Sequence, residues 1–561
     1  MNYKDVYDEW LNSEIIDEET KDELRALDDE EEIKDRFYTD LKFGTAGLRG
    51  KIGAGTNRMN KYTVSLATQG LAQTIIKYGP EAMERGVAIA YDVRNKSDEF
   101  AVITSSVLAA NNIKVHLFPD IRPTPMLSYA VRSLKIISGI VITASHNPKM
   151  YNGYKVYWEE GSQILDSIAD QILDEISNIE FGDVLTTDYD EAVANGMINI
   201  IGEELDEAYY REVLNKTINE DIDKNISIVY SPLNGTGNLP VRHVLSERGF
   251  TNVNVVKEQE LPDGDFTTVG YPNPESVEAF DLSLELAKRI DADILIATDP
   301  DCDRVAMMGK DSKGDYYAFN GNQTGALLID YILNQLVANN KLPEKGAIVK
   351  SIVTGEMAKP VCEKYGVKMF DTLTGFKNIC ALPNEWDKTK EYNFIFGYEE
   401  SIGYTYGDYV RDKDAVVSSM MIAEMAAYYK KKGINLVDAL YEMYETYGYY
   451  KENLISLVLE GLEGQKRIAR MMDSIRETPV MELDGMKLEK TIDYLLDETG
   501  IEKSNVLKYI LDDGSWYCVR PSGTEPKIKL YIYSKSDTEE SANNKIESIR
   551  KTVLDRLNSV E

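Results

Sequence analysis

The apolar run Ile136-Ile-Ser-Gly-Ile-Val-Ile142 gives way at once to Thr143-Ala-Ser-His-Asn-Pro148 and then to Tyr151-Asn-Gly-Tyr154. The run reads as a buried strand. The segment after it is too polar, and too punctuated by Gly and Pro, to be core. A buried strand that delivers a hydroxyl to a polar loop at its end is the arrangement of open α/β sheets, which place their chemistry there. Ser145 is therefore a candidate nucleophile. Taken alone it reads better as a turn residue or a helix cap. A Ser-His pair with His146 is not expected. Neighbours on an extended chain point to opposite faces, and no G-x-S-x-G elbow surrounds the serine.

A second apolar run, Asp291 to Thr298, leads into Asp299-Pro-Asp-Cys-Asp-Arg304. Carboxylates at alternating positions 299, 301 and 303 can converge on one side of an extended loop, and hard oxygen donors suit Mg²⁺ or Ca²⁺. An EF-hand would need Gly at its sixth position and Glu at its twelfth. Those positions hold Arg304 and Lys310. Three like charges this close repel unless a cation sits among them, so the spacing predicts a metal site. Cys302 alternates with the acids and is expected to point away, which argues against zinc.

Two more loops sit at strand ends. Tyr392 to Gly397 runs into Tyr398-Glu-Glu-Ser-Ile-Gly403, where Glu399 and Ser401 can face one pocket and bond hydroxyls. Trp516 to Arg520 is followed by Pro521-Ser-Gly-Thr-Glu-Pro526 and the strand-like Lys527 to Tyr533. Arg520, Ser522, Thr524 and the backbone around Gly523 form a set able to cradle a phosphate. Each motif alone is weak, since a solvated strand end or a hairpin turn would look the same.

In this order the four loops resemble those of the α-D-phosphohexomutase family, closest to the large phosphoglucomutases of the phosphoglucomutase/phosphomannomutase group. The resemblance covers nearly the whole chain. It runs from Phe43-Gly-Thr-Ala-Gly-Leu-Arg49 through Arg122-Pro-Thr-Pro125, Asn234-Gly-Thr-Gly237, Pro262-Asp-Gly264 and Pro272-Asn-Pro-Glu275 to the phosphate loop. It implies a phosphoserine at Ser145 and one Mg²⁺ held by Asp299, Asp301, Asp303 and the Ser145 phosphate. Arg49, His146, Lys155 and Arg304 match basic positions around that phosphate, Lys155 as general acid or base. Glu399 and Ser401 match the pair that reads sugar hydroxyls, and Thr374-Gly-Phe-Lys377 matches a further recognition loop through Thr374 and Lys377. Arg520, Ser522, Gly523 and Thr524 match the loop that grips the non-reacting phosphate. Tyr398 and Ile402 depart from the glycines that many members carry beside the sugar loop.

The implied fold is α/β, with three similar α/β domains built on mixed sheets and a C-terminal α+β domain around a central cleft. The expected spans are 1–205, 206–316, 317–445 and 446–561, although the sequence carries no detectable internal repeat. The implied reaction interconverts glucose 1-phosphate and glucose 6-phosphate through glucose 1,6-bisphosphate, which also serves as activator. Phosphomannomutase and phosphopentomutase are the rivals within the family. A non-catalytic sugar-phosphate sensor is opposed by the intact Ser145 and aspartates, and a phosphatase by the distal phosphate loop. The absence of G-x-x-x-x-G-K-[ST] opposes a kinase.

Charge and cysteines set the remaining bounds. The net charge of −33, from 62 basic and 95 acidic side chains, disfavours nucleic acid and anionic membranes as partners. A phosphosugar must then be captured by a local basic cleft, in a monomer or homodimer. The acidic stretch Asp28 to Glu32 is expected to be solvated helix surface. The cysteines Cys302, Cys362, Cys380 and Cys518 are scattered, no run is long enough to span a membrane, and the start is unlike a signal peptide. A cytoplasmic location is expected. The 36 tyrosines are read as packing residues.

Overall fold

The computed structural model describes residues 2–44, 47–459, 461–522 and 527–561. Short β-branched runs become buried strands, and the segments between them become helices that cover both sheet faces. In the first domain four strands follow in chain order, Val87–Tyr91, Val115–Leu117, Ser138–Ile142 and Tyr151–Trp158. Across the sheet they lie fourth, third, first, second, with Gly47–Lys51 and Ile198–Ile200 on the two edges. The first three are mutually parallel and the fourth turns back antiparallel on the third. The helices Ser97–Ala110 and Thr124–Ser133 make the crossovers.

The same arrangement recurs twice. Strands Ile228–Ser231, Val253–Val255, Ile294–Thr298 and Val305–Lys310 take that order and those directions in the second sheet. Strands Gly346–Ser351, Lys368–Thr372, Asn393–Glu399 and Gly403–Tyr406 do so in the third. In each domain the turn between the third and fourth strands is one of the singled-out loops, at 143–150, 299–304 and 400–402. A repeat invisible in the sequence is thus plain in the topology.

The C-terminal unit is α+β, as implied, with more strands than the pair around Arg520. Six strands form one antiparallel sheet. The helices Gly461–Glu477 and Glu539–Asn558 pack Met471, Ile475, Ile549 and Val553 against it.

The first domain and one face of the last have cores of their own, whereas one continuous core runs through the second and third and takes in Tyr450, Trp516, Cys518, Tyr531 and Tyr533 of the last. Tyrosines fill much of this interior, with Tyr154, Tyr209, Tyr230 and Tyr331 almost wholly buried. The acidic stretch is largely surface, as expected. Its last residue, Glu32, is instead drawn into ion pairs with Arg36 at 2.8 Å and Arg58 at 3.1 Å. Among the described residues no helix is long and apolar enough to cross a membrane.

Candidate active site

The loops of the first and second domains meet at Ser145. Its hydroxyl donates to Asp299 Oδ2 at 2.8 Å, across 154 residues of sequence. The backbone at Ser145 is left-handed, with φ 54°. This overturns the expectation for His146. The chain is bent here, not extended, and His146 Nδ1 comes within 3.1 Å of Ser145 Oγ. Burial, with the charges of Arg304 and Arg49, holds the imidazole well below the ordinary histidine value, so it is neutral at pH 7.

Asp299, Asp301 and Asp303 converge as the spacing predicted, each offering an oxygen within 4.8 Å of the others. Their oxygens are already sorted. Asp299 Oδ1 accepts from the backbone N–H groups of Asp303 and Arg304 at 3.1 and 3.0 Å. Asp301 Oδ2 accepts from Lys155 Nζ at 2.7 Å and from Thr124 Oγ1 at 2.9 Å. Asp303 Oδ2 faces Lys155 at 3.3 Å and Lys413 at 3.1 Å. Among the described residues Asp301 Oδ1 and Asp303 Oδ1 have no hydrogen-bond partner, although both are buried. Orphaned buried carboxylate oxygens are costly. Burial, and then the charges of Asp301 and Asp303, push the Asp299 carboxyl well above the usual range. Asp303 Oδ1 faces the Arg304 guanidinium at 3.9 Å. Buried and converging, the three carboxylates fit a hard divalent cation. Cys302 turns away into the core of the second domain, as expected.

Arg49 is exposed and within electrostatic reach of Asp301, Asp303 and Arg304. Arg304 ties the second domain to the third. Its Nη1 donates to the Ser401 carbonyl at 3.4 Å, and a β-bridge joins it to Gly403. Glu399 ends its strand with Oε1 accepting from the Gly375 N–H at 2.7 Å. Tyr398 and Ile402 both point into the core. Gly321, at the start of the helix Gly321–Ala338, lies so close to this turn that a Cβ there would meet the Glu400 carbonyl oxygen at 1.8 Å. Lys377 reaches Asp166 of the first domain at 2.8 Å. Arg520 of the fourth domain donates to Thr374 Oγ1, and the Ser522 N–H is bonded to the Lys527 carbonyl at 2.8 Å. Gly523 and Thr524 lie outside the described residues. All four domains thus supply side chains to one place.

Family models match this chain along most of its length. Domains I, II and III of phosphoglucomutase/phosphomannomutase match residues 40–183, 207–314 and 320–444, and its C-terminal domain matches residues 476–545. The chain belongs to the phosphoglucomutase/phosphomannomutase family. It is 37% identical over 547 residues to the phosphoglucomutase of Staphylococcus epidermidis, covering 96% of each chain. It is 38% identical over 519 residues to that of Staphylococcus aureus N315, covering 90% of this chain and 91% of the other. Parafusin from Paramecium, a phosphoglucomutase solved in an open form, shares the fold at 18% identity. The TM-score is 0.71, with 93% of this chain and 95% of that one covered.

As a member of this family the protein is an enzyme of intramolecular phosphoryl transfer. Its site contains residues that sequence reading missed. Lys413, 6% exposed, comes from Arg411-Asp-Lys-Asp414 just before an apolar helix. A charged run placed there was the available signal. Thr124, in the Arg122-Pro-Thr-Pro125 motif, holds Asp301 by its hydroxyl and also donates its N–H to the Asp301 carbonyl at 2.9 Å. That motif was visible in the sequence, but its partner was not.

Proposed function

We propose that the protein is a phosphoglucomutase, interconverting glucose 1-phosphate and glucose 6-phosphate through phosphorylated Ser145 and glucose 1,6-bisphosphate. One observation carries this reading. Ser145 sits beside Asp299 while Arg520, from a different domain, is held on Thr374 next to Glu399. A phosphatase needs only the first group. A mutase needs a second grip for the phosphate that is not reacting.

In the first half-reaction the P–Oγ bond of phosphoserine breaks and a P–O bond forms to the free sugar hydroxyl. The hydroxyl proton ends on Ser145 Oγ. After the bisphosphate turns around, Ser145 Oγ attacks the other phosphorus, and its proton passes to the released sugar oxygen. Lys155 and His146 flank this path, and we assign the proton transfers to them. Arg49 and Arg304 balance the phosphoserine charge. Asp299, Asp301 and Asp303, with a phosphoserine oxygen, would hold one Mg²⁺, whose charge polarises the transferring group. Glu399, Ser401 and Lys377 orient the sugar. Arg520 and its loop grip the distal phosphate. Side chains from four domains of one chain support this reading, which suits a monomer or a homodimer. Four buried free cysteines suit a reducing cytoplasm.

A coupled assay comparing kcat/KM for glucose 1-, mannose 1- and ribose 1-phosphate tests the assignment. Glucose 1-phosphate is expected to be the best substrate, and glucose 1,6-bisphosphate should reactivate dephosphorylated enzyme. A preference for mannose would make the protein a phosphomannomutase. Stoichiometric release of inorganic phosphate without an isomerised sugar would make it a phosphatase.

A further inference from the structure

Arg94 is 2% exposed and lies beneath the Ser145 loop. It belongs to Asp92-Val-Arg-Asn95, the loop that follows the strand Val87–Tyr91. Its Nη2 donates to the carbonyls of Ser145, at 2.6 Å, and Asn147. Its Nη1 donates to those of Pro148 and Tyr151, both at 3.0 Å. One guanidinium thus ties four carbonyls of the loop together, a fork geometry that a lysine ammonium cannot reproduce. Asp92 completes the clamp. It faces Arg94 Nε at 3.2 Å and accepts from Thr143 Oγ1 at 2.6 Å, while Thr143 Oγ1 accepts from the Ser145 N–H at 2.8 Å. The left-handed backbone at Ser145, unusual for a serine, is held by both.

The other side of Arg94 belongs to the second domain. The Phe266 ring, wholly buried, lies 5.1 Å from the guanidinium carbon. Its loop is packed so tightly that a Cβ on Gly264 would lie 2.8 Å from the Val93 carbonyl and from Asn95 Oδ1. The second domain also carries Asp299, the acceptor of the Ser145 hydroxyl.

We propose that Arg94, braced by Phe266, is a positioning residue that fixes Ser145 Oγ against the carboxylate loop, so that two domains hold one reacting atom in register. The inference rests on Ser145 being the phosphorylated group, and intact mass of the wild-type enzyme checks that first. Absence of phosphate on Ser145 even after incubation with glucose 1,6-bisphosphate would end the phosphoserine reading itself. With phosphate present, Arg94→Lys is expected to lower kcat by about 100-fold, the cost of misplacing a reacting atom by an ångström, with KM for glucose 1-phosphate unchanged. Phosphorylation of Ser145 by glucose 1,6-bisphosphate should slow by the same factor, and amide exchange should rise at 143–151 but not elsewhere. Arg248→Lys is the control. Arg248 is a buried arginine paired with Glu424 at 3.1 Å, and its loss should lower Tm while leaving kcat intact. If Arg94→Lys does not fold, Phe266→Leu should still lower kcat at constant KM. Wild-type kcat in whichever variant folds, or a loss that falls on KM alone, would overturn the proposal.

Discussion

At the scale of single residues, the site is governed by which carboxylate oxygens are occupied. Lys155, Thr124 and Lys413 take Oδ2 of Asp301 and Asp303 and leave each Oδ1 without a hydrogen bond among the described residues. Asp301→Asn or Asp303→Asn should therefore cut kcat on the order of 100-fold, since a metal supplies several kcal/mol of charge stabilisation. KM should change little, and a chelator should reproduce the loss in the wild type. Full activity after chelation would leave the loop a structural feature only. Lys413 is buried between Asp303 and Asp412, at 3.1 and 2.9 Å. Removing one member of a buried pair strands the others, so Lys413→Met is expected to cost about 3 kcal/mol in urea unfolding. It should lower activity as well. A variant as stable as the wild type would show that solvent screens this cluster.

At the scale of elements, the third-to-fourth-strand turn recurs three times with different contents. The turns are held by what packs behind them. Asp414 shows this on the helix Ala415–Lys431, where it caps the N–H groups of Val416 and Val417 at 2.9 and 3.0 Å. It also accepts from the hydroxyls of Tyr209 and Tyr409 at 2.9 and 2.6 Å. Asp414→Ala loses a cap worth about 1 kcal/mol and strands two buried hydroxyls at about 1–3 kcal/mol each. Denaturant unfolding should register the sum, and Lys413, one residue away, should lose its place with it. A loss no larger than that of a cap would mean that water replaces the carboxylate.

At the scale of the whole molecule, the fourth domain joins the third through a shared core that includes Trp516, Tyr531 and Tyr533, and through polar contacts beside it. Arg520 meets Thr374, and Lys508 Nζ donates to the Ile352 carbonyl at 2.8 Å. On the proposed mechanism each sugar phosphate end occupies the Arg520 loop in turn. Arg520→Ala should thus weaken both glucose 1- and glucose 6-phosphate by about 2–3 kcal/mol, as for a lost charge-assisted contact. Unchanged KM and kcat for both would reduce the loop to a hairpin. The strand Tyr449–Val458, which enters this domain, carries Glu452. Burial pushes its carboxyl from 4.5 to about 7, against smaller opposing effects of Asn320 and Lys451. The folded chain then keeps a proton that the unfolded chain loses, so this group's contribution to stability falls as pH rises from about 4.5 to about 7 and is constant above that. Glu452→Gln should flatten the fall in Tm between pH 5 and pH 8. An unaltered pH profile would place the carboxyl in water.

The sequence by itself determined the candidate residues at strand ends. Ser145, the three aspartates, Glu399 and Arg520 were legible because apolar runs and polar loops are local patterns that hold without knowledge of the partner. The antiparallel return after each third strand was not legible, nor was its threefold recurrence, since strand order depends on pairings between distant segments. The contact of His146 with Ser145 was misread because a left-handed turn, imposed from outside by Arg94 and Asp92, replaced the extended backbone that alternation assumes. Lys413 and Thr124 escaped notice for the same reason. Their partners Asp303 and Asp301 lie in another domain, 177 residues away for Thr124, and charge on a side chain does not say which oxygen it will meet. Tertiary structure decided that, by burying the carboxylates together and leaving two of their oxygens without a hydrogen bond among the described residues.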